Sequence, residues 1–511
     1  MRHDAAGRVA GRTWLAIDLA GALGLTGTMI AYLSLSSLLP TAVALGYGEP
    51  VWPFLVTGIA TCAFGYVLER LTPDAKLRLG VREGFLVVSA MLLTTAAFAS
   101  LPYLFVGGEQ LDHPLDAYLE GMSAATTTGA SVVTDFDELS RSLSMWRQFT
   151  QWLGGMGIII LAVAILPRLR VGGRQMMETE LPGPEVAALS ERIRETARLL
   201  WGLYIALTVV LTLALAALGW LGIDDAMTFY EALAHAFATM PTGGFSTQPN
   251  SIAAFSPAAQ WIIALFMLLA GVNFLLLFRA IVRRRPRVFV RDEEFRLYLG
   301  LVAIASGVLL VQLWSYGLFE GEEAVRTAVF QAISIITTTG FATTDFGLWP
   351  VLCLMTLFAL MFLGGSAGST TGSIKVVRHL LVGKILRREL DQTVSPEVVM
   401  PIRLNSAPVD ERTLRAIAAF ILLYVGLWAA GASIVAIDSA ISDVPLSALD
   451  SFAVSASALG NGGPGFGITG PFASFAPLGD VSKVTMILLM WLGRLEIIPV
   501  FVLATRHYWR L

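Results

Sequence analysis

Four times along this chain a run of apolar and small residues ends on glycine at a common offset. Residues 116–129 read DAYLEGMSAATTTG, 231–244 EALAHAFATMPTGG, 327–340 TAVFQAISIITTTG and 450–463 DSFAVSASALGNGG. Thirteen positions before each last glycine stands Asp116, Glu231, Thr327 or Asp450, residue types that cap a helix or charge its first turn. Six positions before it stands a small residue: Ser123, Ala238, Ser334 or Ser457. The glycines Gly129, Gly244, Gly340 and Gly463 are 115, 96 and 123 residues apart, room for two membrane crossings and a connection. Internal repetition at long period constrains a fold more than any single motif.

The four runs are too apolar for solvated loops and too short to cross a bilayer. Around them lie ten apolar segments, near 13–39, 51–69, 82–106, 146–167, 198–222, 258–282, 297–318, 348–381, 414–437 and 482–504, the eighth long and interrupted. The first lacks a short apolar core followed by a small-residue cleavage site, so it reads as a span. Only 14% of residues are charged and 55% are hydrophobic, against about 25% charged in soluble domains. That is too little charge to cover a soluble surface, which disfavours soluble enzymes and disulfide scaffolds. A net charge of −3 provides no global basic field for nucleic acid. Cys62 and Cys353 lie in apolar runs and read as small core hydrophobes.

Basic residues alternate with the spans. Arg2, Arg8 and Arg12 precede the first; Arg70, Lys76, Arg78 and Arg82 follow the second; Arg168, Arg170 and Arg174 the fourth; Arg283, Arg284, Arg285 and Arg287 the sixth. Lys375, Arg378, Lys384, Arg387 and Arg388 follow the eighth, and Arg506, His507 and Arg510 end the chain. Every second connection is basic, which puts those connections and both termini in the cytoplasm. The polar stretch 168–197 reads as a cytoplasmic amphipathic helix. No G-x-x-x-x-G-K-[ST] loop occurs, so the chain carries no phosphate-binding loop of that kind.

The four runs therefore face outward, each a short re-entrant helix followed by a glycine-bearing strip. Such backbone is tolerated at membrane depth only when buried in protein or lining a watery path. Four copies around an axis give a pore lined by carbonyls, which can replace the hydration shell of a monovalent cation. The helix C-terminal ends point inward and also favour a cation. Glycine supplies backbone angles closed to other residues. The hydroxyls of Thr126, Thr127, Thr128, Thr337, Thr338 and Thr339 can coordinate ions or lock the strips. The expected fold is an all-α polytopic membrane protein: four pseudo-symmetric span–pore helix–span repeats around a central pore, plus two N-terminal transmembrane helices. The divisions fall at 1–75 for the helix pair and at 76–175, 176–287, 288–390 and 391–511 for the repeats.

The segments TTTGAS (126–131), PTGGFST (241–247), TTTGFATTDF (337–346) and NGGPGFG (461–467) resemble the four filter segments of the Trk/Ktr/HKT potassium transporter superfamily. QWLGGMGIIILAVAILP (151–167), GGSAGSTTGSIKVVR (364–378) and WLGRLEIIPVF (491–501) resemble second helices of its repeats, and the two extra N-terminal helices resemble its bacterial TrkH/TrkG branch. The resemblance implies K⁺ as the transported ion, no cofactor on this chain, a homodimer in a bacterial inner membrane, and a cytoplasmic TrkA-like nucleotide-binding ring. It implies filter positions at Thr126–Gly129, Thr242, Gly243 and Gly244, Thr337–Gly340, and Asn461, Gly462 and Gly463. The second and fourth strips depart from the threonine pattern, so strict K⁺ over Na⁺ discrimination does not follow.

The eighth span breaks at Gly364-Gly365-Ser366-Ala367-Gly368-Ser369-Thr370-Thr371-Gly372-Ser373. Four glycines in ten residues do not make a stable lipid-facing helix. The stretch reads as an unwound intramembrane loop beneath the filter, ending near Lys375, and the resemblance implies that it obstructs the pore and moves on gating. Arg494 lies near the middle of the last apolar segment, where an unpaired arginine costs about 3 kcal/mol or more and faces a cavity or a partner. It is expected to face the pore and hold the loop near 366–371; pairing with an acid on a neighbouring helix is the alternative. Glu496 is two residues on and shares no helix face with it. His235 reads as a packed or capping histidine, Asp18 as a residue at a helix interface, and Asp345 as either a cation-concentrating acid at the mouth or a solvated loop acid.

Inward K⁺ movement through this pore is the function that these features favour. A Na⁺-permeable or Na⁺-coupled transporter and a non-conducting membrane sensor remain alternatives. A membrane enzyme would need a reactive constellation, and the five histidines form none that is recognisable.

Overall fold

The computed structural model describes residues 18–72, 81–165, 186–397 and 400–509. Two helices, α1 (Leu19–Leu33) and α2 (Leu38–Tyr47), are joined by a 3₁₀ turn at Ser34–Ser37 into one long span, followed by α3 (Trp52–Arg70). Asp18 precedes α1 rather than lying inside it. Its carboxylate accepts the Gly21 N–H at 2.7 Å, so it is an N-cap. Cys62 is exposed on α3, contrary to the core expected of it, while Cys353 is buried.

The stretch expected to form repeat 1 holds α4 (Val81–Val106), the expected pore helix α5 (Pro114–Ala125) and α6 (Arg141–Ile165), and the expected repeats and pore helices are named in the same way below. Repeat 2 comprises α7 (Val186–Trp220), pore helix α8 (Phe229–Thr239), α9 (Pro257–Ala270) and α10 (Phe274–Ile281). The polar stretch 168–197 lies outside the described residues up to 185; from Val186 the helix continues into the span. After a short helix α11 (Arg287–Arg291), repeat 3 holds α12 (Glu293–Ser315), pore helix α13 (Gly321–Ile336), α14 (Val351–Met361) and α15 (Val376–Val394). A hairpin, β1 (Arg403–Leu404) and β2 (Ala407–Pro408), leads to repeat 4: α16 (Glu411–Ile441), pore helix α17 (Ala448–Gly460), α18 (Asp480–Arg494) and α19 (Ile498–Ala504), with α20 (Arg506–Trp509) at the end.

Among the described residues six helical stretches are long and apolar enough to cross a membrane unbroken, the first of them α1 and α2 with their 3₁₀ turn. Two expected to be continuous are not: α9 and α10 meet at 108°, and α18 and α19 at 112°. The second break carries positive φ at Glu496 and Ile497, 59° and 60°, a cost that surrounding packing must over-determine. Arg494 is therefore the last residue of α18 and not the middle of a span. The exposed surface includes Ile59, Leu213, Val311 and Ile437, the outward apolar residues that a lipid-facing helix presents.

The pore helices begin mostly where expected. Asp116 and Glu231 lie in first turns, and Asp450 forms a capping box with Ser447. Thr327 does not: α13 starts at Gly321 with Glu322 and Glu323 in its first turn, and Thr327 is buried inside the helix. Glu322 and Glu323, five and four residues earlier, satisfy the helix start better than one threonine can.

The repeats meet in cyclic order. Arg147 of repeat 1 donates to the Ser246 carbonyl of repeat 2 at 3.3 Å, and Ile252 donates to the Ala342 carbonyl of repeat 3 at 3.0 Å. Phe346 packs on Phe466 of repeat 4, ring centroids 6.1 Å apart, and Phe475 donates to the Ser131 carbonyl of repeat 1 at 2.8 Å. One apolar core joins repeats 2 and 3, another joins repeats 1 and 4 with the N-terminal helices. The strips lie between them.

Candidate ion pathway

Each pore helix ends in the same backbone figure. The N–H one residue before the terminal glycine (Thr128, Gly243, Thr339, Gly462) donates to the carbonyl of Ser123, Ala238, Ser334 or Ser457, at 2.8, 2.8, 2.9 and 2.8 Å. The residue before that turns left-handed: Thr127 at φ 52°, Thr242 at 56°, Thr338 at 53° and Asn461 at 54°. The glycines follow, Gly129 at 86°, Gly244 at 77°, Gly340 at 82° and Gly463 at 87°. Four sequences that share few side chains thus share one backbone path, and a left-handed angle at its end is why glycine recurs.

The strips close into a ring. A Cβ placed on Gly129 would strike the Gly243 carbonyl, one on Gly244 the Thr339 carbonyl, one on Gly340 the Gly462 oxygen at 2.5 Å, and one on Gly463 the Thr128 oxygen at 2.9 Å. Among the described residues no N–H or hydroxyl donates to the carbonyls of Thr127, Thr128, Thr242, Thr338, Thr339, Asn461 or Gly462. Buried carbonyls without donors are rare and ask for a partner. A ring of them, at the C-terminal ends of four helices, can take the place of water around a monovalent cation.

The threonine hydroxyls mostly lock rather than line. Thr126 pairs with Thr128 at 2.7 Å and Thr337 with Thr339 at 2.8 Å, while Thr126 and Thr337 also donate back to the helix carbonyls of Met122 and Ile333. Asn461 stands in for a threonine by donating Nδ2 to Thr128 Oγ1 at 3.0 Å, which ties strip 4 to strip 1. Gly243 is braced from α6, where Gln151 donates Nε2 to its carbonyl at 2.7 Å and accepts the Phe245 N–H at 3.2 Å. His235 is buried, with Nδ1 on the Glu231 carbonyl at 2.9 Å and Nε2 on Ser246 Oγ at 3.0 Å, a packing role. Asp345 accepts the Gly347 N–H at 2.9 Å and caps a 3₁₀ turn.

Behind strip 1 lies an ion pair that sequence reasoning missed. Glu120 and Arg147 are 0% and 1% exposed, with Nη2 to Oε1 at 2.7 Å. Glu120 also accepts the Val132 N–H at 3.0 Å and the Ser131 hydroxyl at 3.0 Å. The signal was available: one acid in an apolar pore helix and one arginine in an apolar span, each needing the other. Breaking a buried pair strands a charge, so Arg147→Met is expected to lower stability by about 3–5 kcal/mol. Thermal unfolding in detergent measures this, and Glu120→Gln/Arg147→Met should recover most of the loss. Recovery of none would mean the arginine acts through packing alone.

Below the ring, residues 362–375 leave the helix between α14 and α15 and fold back under the strips. Gly372 donates its N–H to Thr338 Oγ1 at 2.7 Å, and Thr370 donates its hydroxyl to the Met240 carbonyl at 3.1 Å. Ser366 donates to the Gly271 carbonyl at 2.8 Å and Gly368 accepts from Phe274 at 3.1 Å, so the loop is joined to the break between α9 and α10. Gly364 donates to the Ile374 carbonyl at 2.8 Å and Gly365 to Thr371 Oγ1 at 3.0 Å. Ser369 bonds the Ser366 carbonyl at 2.6 Å. Lys375 folds Nζ onto the Thr371 carbonyl and onto its Oγ1 at 3.0 Å. Arg494, from the end of α18, donates Nη1 to the Thr370 carbonyl at 3.0 Å; its Nε and Nη2 are buried with no partner among the described residues. It does not pair with Glu496, which takes Arg378 at 2.5 Å. A small pocket adjoins the loop, lined by Lys375, Arg378, Tyr424, Arg494 and Glu496.

The comparisons with known proteins agree across nearly the full length. The family model described as TrkH, cation transport protein, matches residues 53–510. The Trk system potassium uptake protein TrkH of Salmonella typhimurium is 36% identical over 490 residues, spanning 95% of this chain and 98% of that protein. The Trk system potassium uptake protein TrkG of Escherichia coli is 33% identical, covering 95% and 97%. The crystal structure of the potassium transporter TrkH from Vibrio parahaemolyticus superposes with a TM-score of 0.85 at 33% identity, over 97% of this chain and 100% of that one. The chain belongs to the TrkH cation transport family.

Proposed function

We propose that this protein carries K⁺ inward across a bacterial inner membrane, in single file through the carbonyl ring formed by Thr126–Gly129, Thr242–Gly244, Thr337–Gly340 and Asn461–Gly463. The observation that carries the reading is the closed ring of buried carbonyls, most of them without donors, with Gly243 the exception at its level. The relatives' names, potassium uptake proteins of Trk systems, supply the ion. K⁺ is the cargo, and no resident cofactor is assigned to the chain. An ion entering the ring exchanges water for carbonyl oxygen with little rearrangement, because the strips are held by their own helices, by the threonine pairs and by Gln151. The 364–373 loop obstructs the path below, held by Lys375 and Arg494, and transport requires it to move. The basic connections put both termini in the cytoplasm. The working assembly is a homodimer with a TrkA-like nucleotide-binding ring on its cytoplasmic face.

One observation favours a second reading, a Na⁺-permeable pathway. Gly243 alone at its level of the ring already accepts a hydrogen bond, from Gln151, and so offers an ion one free lone pair rather than two. Rubidium uptake into liposomes holding the purified protein, competed by K⁺ and by Na⁺, separates the two. Block by K⁺ at roughly tenfold lower concentration than Na⁺, a difference of ~1.4 kcal/mol, supports the K⁺ pathway. Equal competition supports the relaxed ring. No uptake, even with a TrkA-type partner and nucleotide added, would overturn both.

A further inference from the structure

The loop is also held from its far side, by a residue that the sequence did not single out. Ala367 donates its backbone N–H to Glu294 Oε1 at 2.6 Å, and Glu294 is 7% exposed. A buried carboxylate is costly unless hydrogen-bonded, so its place under the loop is not explained by packing. Glu294 sits in the first turn of α12, whose N-cap Asp292 accepts the Phe295 N–H at 2.8 Å.

The residue before it faces the hairpin. The Glu293 N–H donates to Asn405 Oδ1 at 2.9 Å, Glu293 Oε1 accepts the Asn405 N–H at 3.1 Å, and Asn405 Nδ2 donates to Asp292 Oδ2 at 2.9 Å. Lys384 closes the group, bonding Glu293 Oε2 and the Arg403 carbonyl. Asn405 occupies the hairpin tip at φ 47°, a left-handed angle that asparagine tolerates. Ile402 and Leu404 of the hairpin share an apolar cluster with Val377 and Leu381 of α15, the helix into which the loop runs, and Ala367 packs against that cluster. Three consecutive residues therefore grip two different objects: Asp292 and Glu293 the hairpin tip, Glu294 the loop.

We infer that Glu294 is a positioning residue for the loop, and that the hairpin at 402–409 is the cytoplasmic point through which the loop's hold is set. Releasing the Asn405 clamp frees the first turn of α12 and with it the carboxylate that fixes Ala367. The consequence for transport rests on the reading of the loop as the gate; the mechanical link does not.

The test uses the full chain in liposomes, with hydrogen exchange across residues 364–376 and rubidium flux read on the same samples. Glu294→Ala is expected to raise exchange in that segment about tenfold, the loss of one buried hydrogen bond, and to change flux. Glu294→Gln keeps an acceptor oxygen for Ala367 and should stay near the parent in both. Asn405→Ala should move exchange in the same direction by about threefold, and add nothing when Glu294 is already alanine, since coupled sites are not additive. Unchanged exchange in Asn405→Ala, or full additivity, would overturn the link; equal behaviour of the alanine and glutamine variants at 294 would overturn the positioning role. Exchange that moves as expected while flux stays constant in every variant supports the link and sinks the loop as gate instead.

Discussion

Replacing Gly340 by serine is expected to collapse the preference for K⁺ over Na⁺, or to end flux altogether. Gly340 stands at φ 82°, where an L side chain is strained, and its Cβ would lie 2.5 Å from the Gly462 carbonyl and 2.7 Å from Pro464. The strain is on the order of 1–2 kcal/mol, and the contact cannot be relieved by a flexible side chain because the neighbour is backbone. The Gly462 oxygen must shift, and the ring loses its spacing at one corner. A shift of ~1.4 kcal/mol in relative ion affinity already changes selectivity tenfold. Rubidium uptake competed by K⁺ and Na⁺ reads the effect directly. Parent-like selectivity in Gly340→Ser would remove the strip from the ion path. The same reasoning applies to Gly463, where the Cβ would meet Thr128 at 2.9 Å; Gly340 is preferred because its neighbours leave less room.

Arg494→Ala is expected to raise flux through the unstimulated protein by about tenfold or more. Two effects act in one direction. The guanidinium holds the Thr370 carbonyl at 3.0 Å from α18, so its loss loosens the loop. It is also a fixed positive charge, 5% exposed, beneath the proposed cation path. At about 6 Å and an effective dielectric near 20, one unit charge opposes another by ~3 kcal/mol. Arg494→Lys separates the two effects: it keeps the charge but not the guanidinium's reach and planar donors. If Arg494→Lys behaves like alanine, the hold on Thr370 dominates; if it behaves like the parent, the charge does. Unchanged flux in Arg494→Ala would sink the gate role.

The architecture was legible because its determinants are local and repeated. Hydropathy marks a span regardless of what packs on it, and a glycine required at positive φ appears wherever the chain turns the same way, as at Gly129, Gly244, Gly340 and Gly463. The interruption at 364–373 was legible for a related reason, since helix propensity is a property of the residues themselves. Thr327 was misread because a helix start is chosen among competing local candidates, and the start at Gly321, backed by Glu322 and Glu323, wins six residues earlier. The bends at 271–273 and 495–497 were not legible. Gly271-Val272-Asn273 and Leu495-Glu496-Ile497 carry no run of helix breakers, and the bends depend on partners far along the chain: Ser366 and Gly368 for the first, Arg378 for Glu496.

By itself, then, the sequence determined the class of fold, the unbroken spans and the positions of the four strips, all of which follow from periodicity, hydropathy and backbone permissiveness within about twenty residues. Only the tertiary structure decided which side chains serve the strips and the loop. Arg147 finds Glu120, Gln151 finds Gly243, Arg494 finds Thr370 and Glu294 finds Ala367, pairs separated by 27, 92, 124 and 73 positions. A buried polar group must have a partner, but that rule names a need and not an address. The address is fixed when four repeats close into a ring and bring their inner faces together.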